Sequence, residues 1–251
     1  MSLKTIGIGA GAEGERVFSS IPGSNVHFQI ILYTAQGMGR NWSIPGLAVR
    51  ESPDPGLTLA QDLADGSIDA AIRGTLPANN TLLALKRTFR IDHLERAALL
   101  ETVDGHRFFL APVGVDEGWT IAEKVTLAGK ARVLAEKFGL QSKIGVLSGG
   151  RLGDVGRHPW VDRSLADAEL VARLSGGVHY EIRIEDAIRD CGVIIAPDGV
   201  SGNFIFRTLT FLGSGHGHGA PVLNIDKIFV DTSRATQNYA NAIRLAECLL
   251  K

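Results

Sequence analysis

Short apolar stretches alternate along the whole chain with segments in which apolar residues recur at helical spacing. The stretches are continuous, which is typical of strands in a sheet that helices cover on both faces. Eight of them are predicted to be strands: residues 5–8, 28–33, 68–72, 96–101, 107–113, 143–147, 192–196 and 228–230. Strands that alternate with helices in this way predict an α/β protein with mainly parallel sheets.

Two of the intervening helices have clear sequence signals. Thr120 and Glu123 form a T-x-x-E capping box in front of a helical pattern, and Gly139 follows that pattern as a C-terminal stop. The second helix is predicted over residues 236–250. No internal repeat or Pro-rich linker marks a domain boundary, so a chain with two lobes would cross between them more than once.

The composition is that of an ordinary globular protein. The chain has 251 residues, of which 45% are hydrophobic and 21% charged, and its net charge is −1. Because proteins that neutralise many phosphates need a basic surface, nucleic acid is not expected as a partner. No apolar run approaches the ~18 residues of a membrane span and no secretory signal is recognisable, so we expect a soluble cytoplasmic protein. Cys191 and Cys248 each lie in an apolar segment and are predicted to be reduced core thiols.

A glycine-rich turn follows the first predicted strand. Its motif is G-x-G-x-x-G, at Gly9, Gly11 and Gly14. A dinucleotide site also expects an acidic residue at the end of the next strand, and none stands there. Glu13 and Glu15 moreover place negative charge where the phosphates would lie. We therefore predict a strand-to-helix turn, and an NAD-dependent oxidoreductase is the third functional hypothesis.

The run of residues 191–213 predicts a buried strand, a polar turn and a helix. The turn is Pro197-Asp198-Gly199, and Ser201 is the predicted N-cap of the helix. Gly202 and Asn203 then fall in the first helical turn, where unpaired N–H groups favour an anion. A well-capped strand-to-helix turn without a ligand explains the same pattern.

A second polar segment precedes the last helix. A strand ends at Asp231, and Thr232, Ser233 and Arg234 follow it. A hydroxyl and a guanidinium at a helix N-terminus suit a phosphate or a carboxylate, which arginine binds through two parallel hydrogen bonds. An N-cap serine beside a solvated arginine is the alternative.

The motifs P-D-x-x-x-G-N and D-x-S-R in these two segments resemble those of the phosphate acetyl/butyryl-transferase family. Looser parallels extend upstream to "IDAAIRGTLPANNTLLAL" and to the strand, long helix, strand and Ser-containing loop of residues 107–150. The resemblance therefore covers residues 68–251. In size the chain is most similar to the methanogenesis marker proteins of the methyltransferase-related MtxX group in this superfamily.

The resemblance implies a two-lobed fold like that of isocitrate and isopropylmalate dehydrogenases, with a cleft between the lobes and usually a homodimer. We predict a first lobe of residues 1–105 plus 229–251 and a second lobe of residues 106–228. In the transferases, the thiolate of CoA attacks the carbonyl carbon of an acyl phosphate. CoA or an acyl phosphate is thus the ligand that the resemblance implies.

The resemblance also implies site residues. Ser233 would donate to the developing oxyanion and Arg234 would hold the phosphate. Asp198, Gly202 and Asn203 would line the cleft, with Ser148 and Arg151 approaching from the other lobe. The complete set of substrate-binding candidates is Asp198, Ser201, Gly202, Asn203, Ser148, Arg151, Asn80 and Thr81.

One departure from the family pattern affects the chemistry. The family places a carboxylate seven residues after the serine, and here that position is Ala240. Without a base, acyl transfer to CoA is in doubt while the anion site remains. The first hypothesis is a group transferase, for acyl or methyl groups. The second is a non-catalytic metabolite-binding or regulatory subunit that accompanies a methyltransferase.

Two further segments could bear on function. His216 and His218 lie in a glycine-rich segment and could chelate a metal, but a closed site needs more ligands, so a mobile polar loop is predicted instead. Residues 151–163 contain three arginines, His158 and Trp160, and form either a solvated loop or a rim of the cleft. No role is assigned to His27, His93, His106 or His179.

Overall fold

The structure is a computed structural model that describes residues 3–21, 28–39, 41–233 and 236–251. Tertiary contacts divide the chain into two compact units: unit 1 comprises Met1–Asp92 and His218–Lys251, and unit 2 comprises His93–Gly217. Each unit has a sheet with mostly parallel strands and helices that connect them, so the predicted α/β class is confirmed. The lobe limits proposed from the sequence stay a prediction, since compact units are not by themselves independently folding domains.

Unit 1 contains a six-stranded sheet in the part of the chain that the structure describes. Numbered along the chain, its strands are β1 (Lys4–Gly9), β2 (Phe28–Thr34), β3 (Leu47–Glu51), β4 (Ala70–Ile72), β10 (His216–Pro221, of which the residues from His218 onward belong to this unit) and β11 (Ile228–Asp231). Their order is β3-β2-β1-β4-β11-β10, and every pair is parallel except β10 with β11. Among its described residues, the unit also has four helices: α1 (Gly14–Phe18), α2 (Pro55–Asp65), α3 (Ala78–Phe89) and α8 (Ala240–Leu250).

Unit 2 has a five-stranded sheet. Its strands are β5 (Ala98–Glu101), β6 (Arg107–Ala111), β7 (Ile144–Val146), β8 (Val178–His179) and β9 (Val193–Ile195), in the order β5-β6-β9-β7-β8. The β5–β6 pair is an antiparallel hairpin and the other pairs are parallel. The helices are α4 (Ile121–Lys137), α5 (Pro159–Ser175), α6 (Ile184–Asp190) and α7 (Gly199–Phe211), with a single 3₁₀ turn at Leu152–Asp154.

All eight predicted strands are present, and the capping box of α4 is confirmed. The Thr120 hydroxyl accepts from the Glu123 N–H at 3.2 Å, and the Glu123 carboxylate accepts from the Thr120 N–H at 3.1 Å. This agreement is expected, because a capping box is made by residues three apart and needs no tertiary partner.

Three strands were missed. β3 is only partly buried, β8 has two residues, and β10 is the glycine-rich segment predicted to be a mobile loop. That prediction for His216 and His218 is wrong, because both residues lie in β10, which pairs with β11 through Ala220 and Pro221. A strand rich in glycine shows no alternation of apolar and polar side chains, so the sequence pattern does not reveal it.

The last helix begins at Ala240 rather than at residue 236. Its N-cap is Tyr239, and the side chain of the preceding Asn238 accepts a hydrogen bond from the N–H of Ala240 at 2.7 Å, so the helix starts four residues later than predicted. Within the described residues, no helix combines the length and apolar character that a membrane crossing requires.

The two cysteines differ in environment. Cys191 is buried next to Lys143 and Tyr180, whereas Cys248 is exposed on α8, so the prediction of a core position is wrong for Cys248. Burial raises the pKa of the Cys191 thiol. Because the thiolate is the reactive form, a raised pKa and poor access both slow its alkylation.

We therefore predict that a disulfide reagent at pH 8 titrates one thiol rapidly in the native protein and two in denaturant. In Cys248→Ser, the remaining thiol should react at least about tenfold more slowly in the native protein than in the unfolded one. Two thiols that react equally fast in the native protein would contradict the burial of Cys191.

Candidate functional site

The candidate site of unit 2 is built where three parallel strands end side by side. β9 lies between β6 and β7, with Ile195 opposite both Ala111 and Val146. The segments that leave these ends are residues 112–118, 147–151 and 197–198. Ligands of α/β proteins bind at this edge of a parallel sheet, which makes it the first place to look for chemistry.

The α7 corner, residues 197–203, follows β9. Its N-cap is Asp198, whose carboxylate accepts from the N–H of Ser201 at 2.7 Å, so the prediction of Ser201 as N-cap is wrong. The N–H of Gly199 donates to the carbonyl of Glu117 at 3.0 Å. Two of the first-turn N–H groups are therefore already paired within the protein, and the carboxylate of Asp198 stands where an anion would bind.

The glycines of the α7 corner allow the helix to approach the loop of residues 112–118. A Cβ on Gly199 would lie 1.6 Å from the carbonyl oxygen of Gly114, and one on Gly202 would lie 1.9 Å from that of Pro112. The side-chain amide of Asn203 donates to the carbonyl of Val113 at 3.1 Å. The P-D-x-x-x-G-N motif thus packs α7 against the end of β6 by backbone contact.

The loop of residues 112–118 is itself held by a buried ion pair. Nε of Arg96 donates to Oε1 of Glu117 at 2.6 Å, and Oε2 of Glu117 accepts from the N–H of Gly114 at 3.1 Å. Burial raises the pKa of Glu117, and the Arg96 guanidinium opposes that shift. The pair therefore fixes the surface on which α7 rests.

Lys124 is a buried cation that the sequence did not reveal. It lies in the first turn of α4, and its Nζ donates to the carbonyl of Pro197 at 3.0 Å and lies 3.8 Å from Oδ2 of Asp167. Burial lowers its pKa, while the carboxylates of Asp167 and Asp198 oppose the shift. The residues next to Lys124 in the sequence do not show whether its side chain is buried or exposed to solvent, because lysine is common on the exposed faces of amphipathic helices.

The Ser148 loop, residues 148–151, follows β7. Ser148 is 2% exposed, and its hydroxyl donates to the carbonyl of Gly150 at 2.9 Å. Nε2 of His179 lies 2.9 Å from the same hydroxyl oxygen. Arg151 is exposed, and its N–H donates to the carboxylate of Asp154 at 2.9 Å. Ser148 and Arg151 belong to the same unit as Asp198 and not to the opposite one.

In unit 1, the segment of residues 231–233 (the Ser233 segment) continues β11. Asp231 is buried and accepts from Nε of Arg73 at 2.5 Å. The Thr232 hydroxyl donates to the carbonyl of Gly74 at 2.9 Å, and the carbonyl of Ser233 accepts from the Tyr239 hydroxyl at 3.3 Å. The backbone around Ser233 is thus held on both sides. Arg234 lies outside the described residues.

The two candidates on α3 lie in different surroundings. Asn80 is exposed, whereas Thr81 is buried and packs against Gly56 of α2, where an added Cβ would lie 2.8 Å from the Thr81 hydroxyl. Thr81 therefore packs between α2 and α3 of unit 1.

The glycine turn after β1 packs against the protein's own chain. A Cβ on Gly9 would lie 2.4 Å from the carbonyl oxygen of Arg73, one on Gly11 would lie 2.7 Å from that of Thr75, and one on Gly14 would lie 2.4 Å from the ring of Trp42. In a dinucleotide fingerprint the second glycine lets the backbone approach the pyrophosphate, whereas here the corresponding Gly11 lies against the carbonyl of Thr75. The prediction of a strand-to-helix turn is confirmed.

Comparison with curated proteins decides the family, although no protein-family model matches the chain. The protein named "Putative methyltransferase mtx subunit X" of Methanosarcina barkeri is 49% identical over 208 residues, which cover 81% of this chain and 77% of that protein. Its namesake in Methanosarcina mazei is 48% identical over 209 residues, which cover 81% and 75%. The chain belongs to the MtxX family of methyltransferase-related proteins.

Solved structures place the MtxX chain in the fold that the sequence motifs predicted. A branched-chain phosphotransacylase from Enterococcus faecalis V583 has a TM-score of 0.75 at 17% identity, with 99% of each chain covered. A phosphotransacetylase from Streptococcus pyogenes has a TM-score of 0.70 at 16% identity, covering 99% of this chain and 94% of its own. An isocitrate dehydrogenase from Methylococcus capsulatus has a TM-score of 0.56 at 10% identity, covering 99% and 85%. At such identities the likeness concerns the fold alone.

The close approach of α7 to the end of β6 predicts that Gly202→Ala destabilises this MtxX protein by about 2–3 kcal/mol, because its Cβ would meet a backbone carbonyl that cannot move aside. Gly129→Ala in α4 is the matched control. Nothing lies within 4 Å of its added Cβ, so it should leave stability unchanged or raise it by up to about 1 kcal/mol. Urea unfolding followed by circular dichroism measures both. Equal midpoints for Gly202→Ala and the parent would contradict the packing of the α7 corner.

Proposed function

We propose that this MtxX protein binds an anionic small molecule, phosphorylated or carboxylated, in a cleft between its two lobes and takes part in group transfer. The observation that carries the proposal is the fixed position of the Ser233 segment at the carboxyl end of β11. Its backbone is anchored through Asp231 and Thr232 to the end of β4. The Ser233 segment therefore lies at the sheet edge where α/β proteins bind ligands. In the proposal, the Ser233 hydroxyl and the Arg234 guanidinium supply the groups that suit an anion.

Unit 2 would contribute the Ser148 loop and positive charge. Arg151 is exposed at that loop, and Lys124 places a buried ammonium group against the carbonyl of Pro197. Ser201, Gly202 and Asn203 support the site by holding α7 in place. Asp198 has the same supporting role in the proposal, since its carboxylate would repel an anion from the helix N-terminus.

The transferred group would be a methyl or an acyl group, and the names of the relatives favour methyl transfer as part of a methyltransferase assembly. The acyl alternative would use CoA or an acyl phosphate, as in the phosphotransacylases that share the fold. We further propose a cytoplasmic homodimer without a metal cofactor, in keeping with the sequence-based expectation.

We predict that inorganic phosphate, acetyl phosphate or CoA raises the melting temperature of the protein and that Arg234→Ala abolishes the phosphate effect. Loss of a bidentate charge contact should weaken phosphate binding at least about tenfold. The matched control is Arg244→Ala, an exposed arginine on α8 that contacts Asn241 at 3.3 Å. An unchanged phosphate shift in Arg234→Ala would remove Arg234 from the site, and a saturable shift with NAD would revive the dinucleotide hypothesis.

The second candidate function is a non-catalytic metabolite-binding or regulatory subunit. It is favoured by Ala240, which begins α8 in a first turn without any acidic side chain. The carboxylate of Asp231 cannot easily replace the missing base, because it is paired with Arg73.

For this candidate we predict that CoA and acetyl or butyryl phosphate give no thioester with the parent protein under conditions in which phosphate binds. Ala240→Asp restores a carboxylate at a helix N-terminus, where it is tolerated, and serves as the comparison in the same assay. Rapid thioester formation by the parent protein would reject the regulatory function and establish an acyltransferase.

A further inference from the structure

His179 makes a buried contact with Ser148 that the sequence did not predict. The two residues are 31 positions apart, and Nε2 of His179 lies 2.9 Å from Oγ of Ser148. Ser148 is 2% exposed, and the His179 side chain is 5% exposed. The hydrogen bond between two such buried polar groups stabilises the fold, because either group without its partner would be buried and unsatisfied.

The hydrogen-bond inventory determines which group donates. The Ser148 hydroxyl has one hydrogen, and it donates to the carbonyl of Gly150 at 2.9 Å. Nε2 of His179 therefore carries a proton and donates to the remaining lone pair of the hydroxyl oxygen. On the opposite side of the ring, Nδ1 lies 3.8 Å from Oε1 of Glu169, beside a groove of about 540 Å³ lined by one face of α5 and by Gly177.

The contact matters because the Ser148 loop contains two adjacent glycines. Gly149 and Gly150 have wide conformational freedom, so side-chain contacts must hold the loop. The N–H of Gly149 donates to the Ser164 hydroxyl at 2.8 Å, and the N–H of Ser148 donates to the carbonyl of Glu181 at 2.8 Å. His179 completes this set by orienting the hydroxyl that closes the turn onto Gly150.

We infer that His179 is a positioning residue of the anion site, which acts through Ser148 to hold the Ser148 loop in its ligand-binding conformation. The inference rests on the proposed function for the anion site itself, whereas the hold of His179 on the loop rests on the hydrogen bonds alone. The geometry requires a donor at Nε2. A side chain that supplies an N–H in the same place should therefore keep the Ser148 loop in its conformation, and an apolar side chain should not.

The test compares His179→Leu, which has no donor, with His179→Gln, which keeps an amide N–H. His106→Gln is the control, since it removes an exposed histidine that pairs with Asp104 on the β5–β6 turn. Amide hydrogen exchange over residues 148–151 is measured without ligand, and the dissociation constant of inorganic phosphate is measured by calorimetry. We expect His179→Leu to speed exchange and to weaken phosphate binding by about five- to tenfold each, while His179→Gln restores most of both and His106→Gln changes neither.

Exchange in His179→Leu equal to that of the parent would overturn the inference. Faster exchange with unchanged phosphate affinity would also overturn it, because His179 would then be structural only. If the parent protein binds no phosphate but exchange responds as expected, the proposed anion site fails while the positioning of the loop by His179 is supported. Should His179→Leu not fold, Ser148→Ala removes the same hydrogen bond from the other side. The double variant Ser148→Ala/His179→Gln should then lose no more exchange protection and no more phosphate affinity than Ser148→Ala alone, because the two residues act through one contact.

Discussion

The buried ion pair between Arg73 and Asp231 is the interaction on which the candidate site of unit 1 depends. It joins the ends of β4 and β11, which are 158 residues apart in the chain. The second guanidinium contact, from Nη1 of Arg73 to the carbonyl of Leu76, fixes the loop that also packs against the glycine turn. Breaking such a pair leaves an uncompensated charge in the interior, which is strongly destabilising. The ion pair therefore holds the end of β11, from which the chain continues to Ser233, against the end of β4.

Unit 2 combines a buried ion pair, between Arg96 and Glu117, with close backbone contact. α7 approaches the end of β6 so closely that only glycine fits at two positions, and Asp198 is used to cap the helix. The motif residues of the α7 corner thus stabilise the architecture, while the proposal assigns ligand binding and positioning to Lys124, Arg151 and the pair of Ser148 and His179. This division explains how one fold can serve phosphotransacylases, a dehydrogenase and the MtxX family, because function depends on a few residues placed on a shared frame.

Predictions from the sequence succeeded where the signal was local. The capping box of α4, the eight apolar strands and the glycine turn can each be recognised from a few consecutive residues, and the structure contains all of them. One failure concerns the local geometry of a turn, and the other concerns a strand that only its pairing reveals. Ser201 has the usual chemistry of an N-cap, but the turn geometry gives that position to Asp198. β10 was read as a loop because its glycines carry no pattern, although pairing with β11 makes it a strand.

The sequence by itself determined the α/β class, the order of most strands and helices, and the motifs through which the family is recognised. Only the tertiary structure decided that Arg73 meets Asp231, that Lys124 is buried against Pro197, and that His179 holds Ser148. The physical reason is that periodicity and capping arise from interactions between residues three or four apart. A hydrogen bond between residues 31 or 158 positions apart exists only after the sheet has brought two strand ends together.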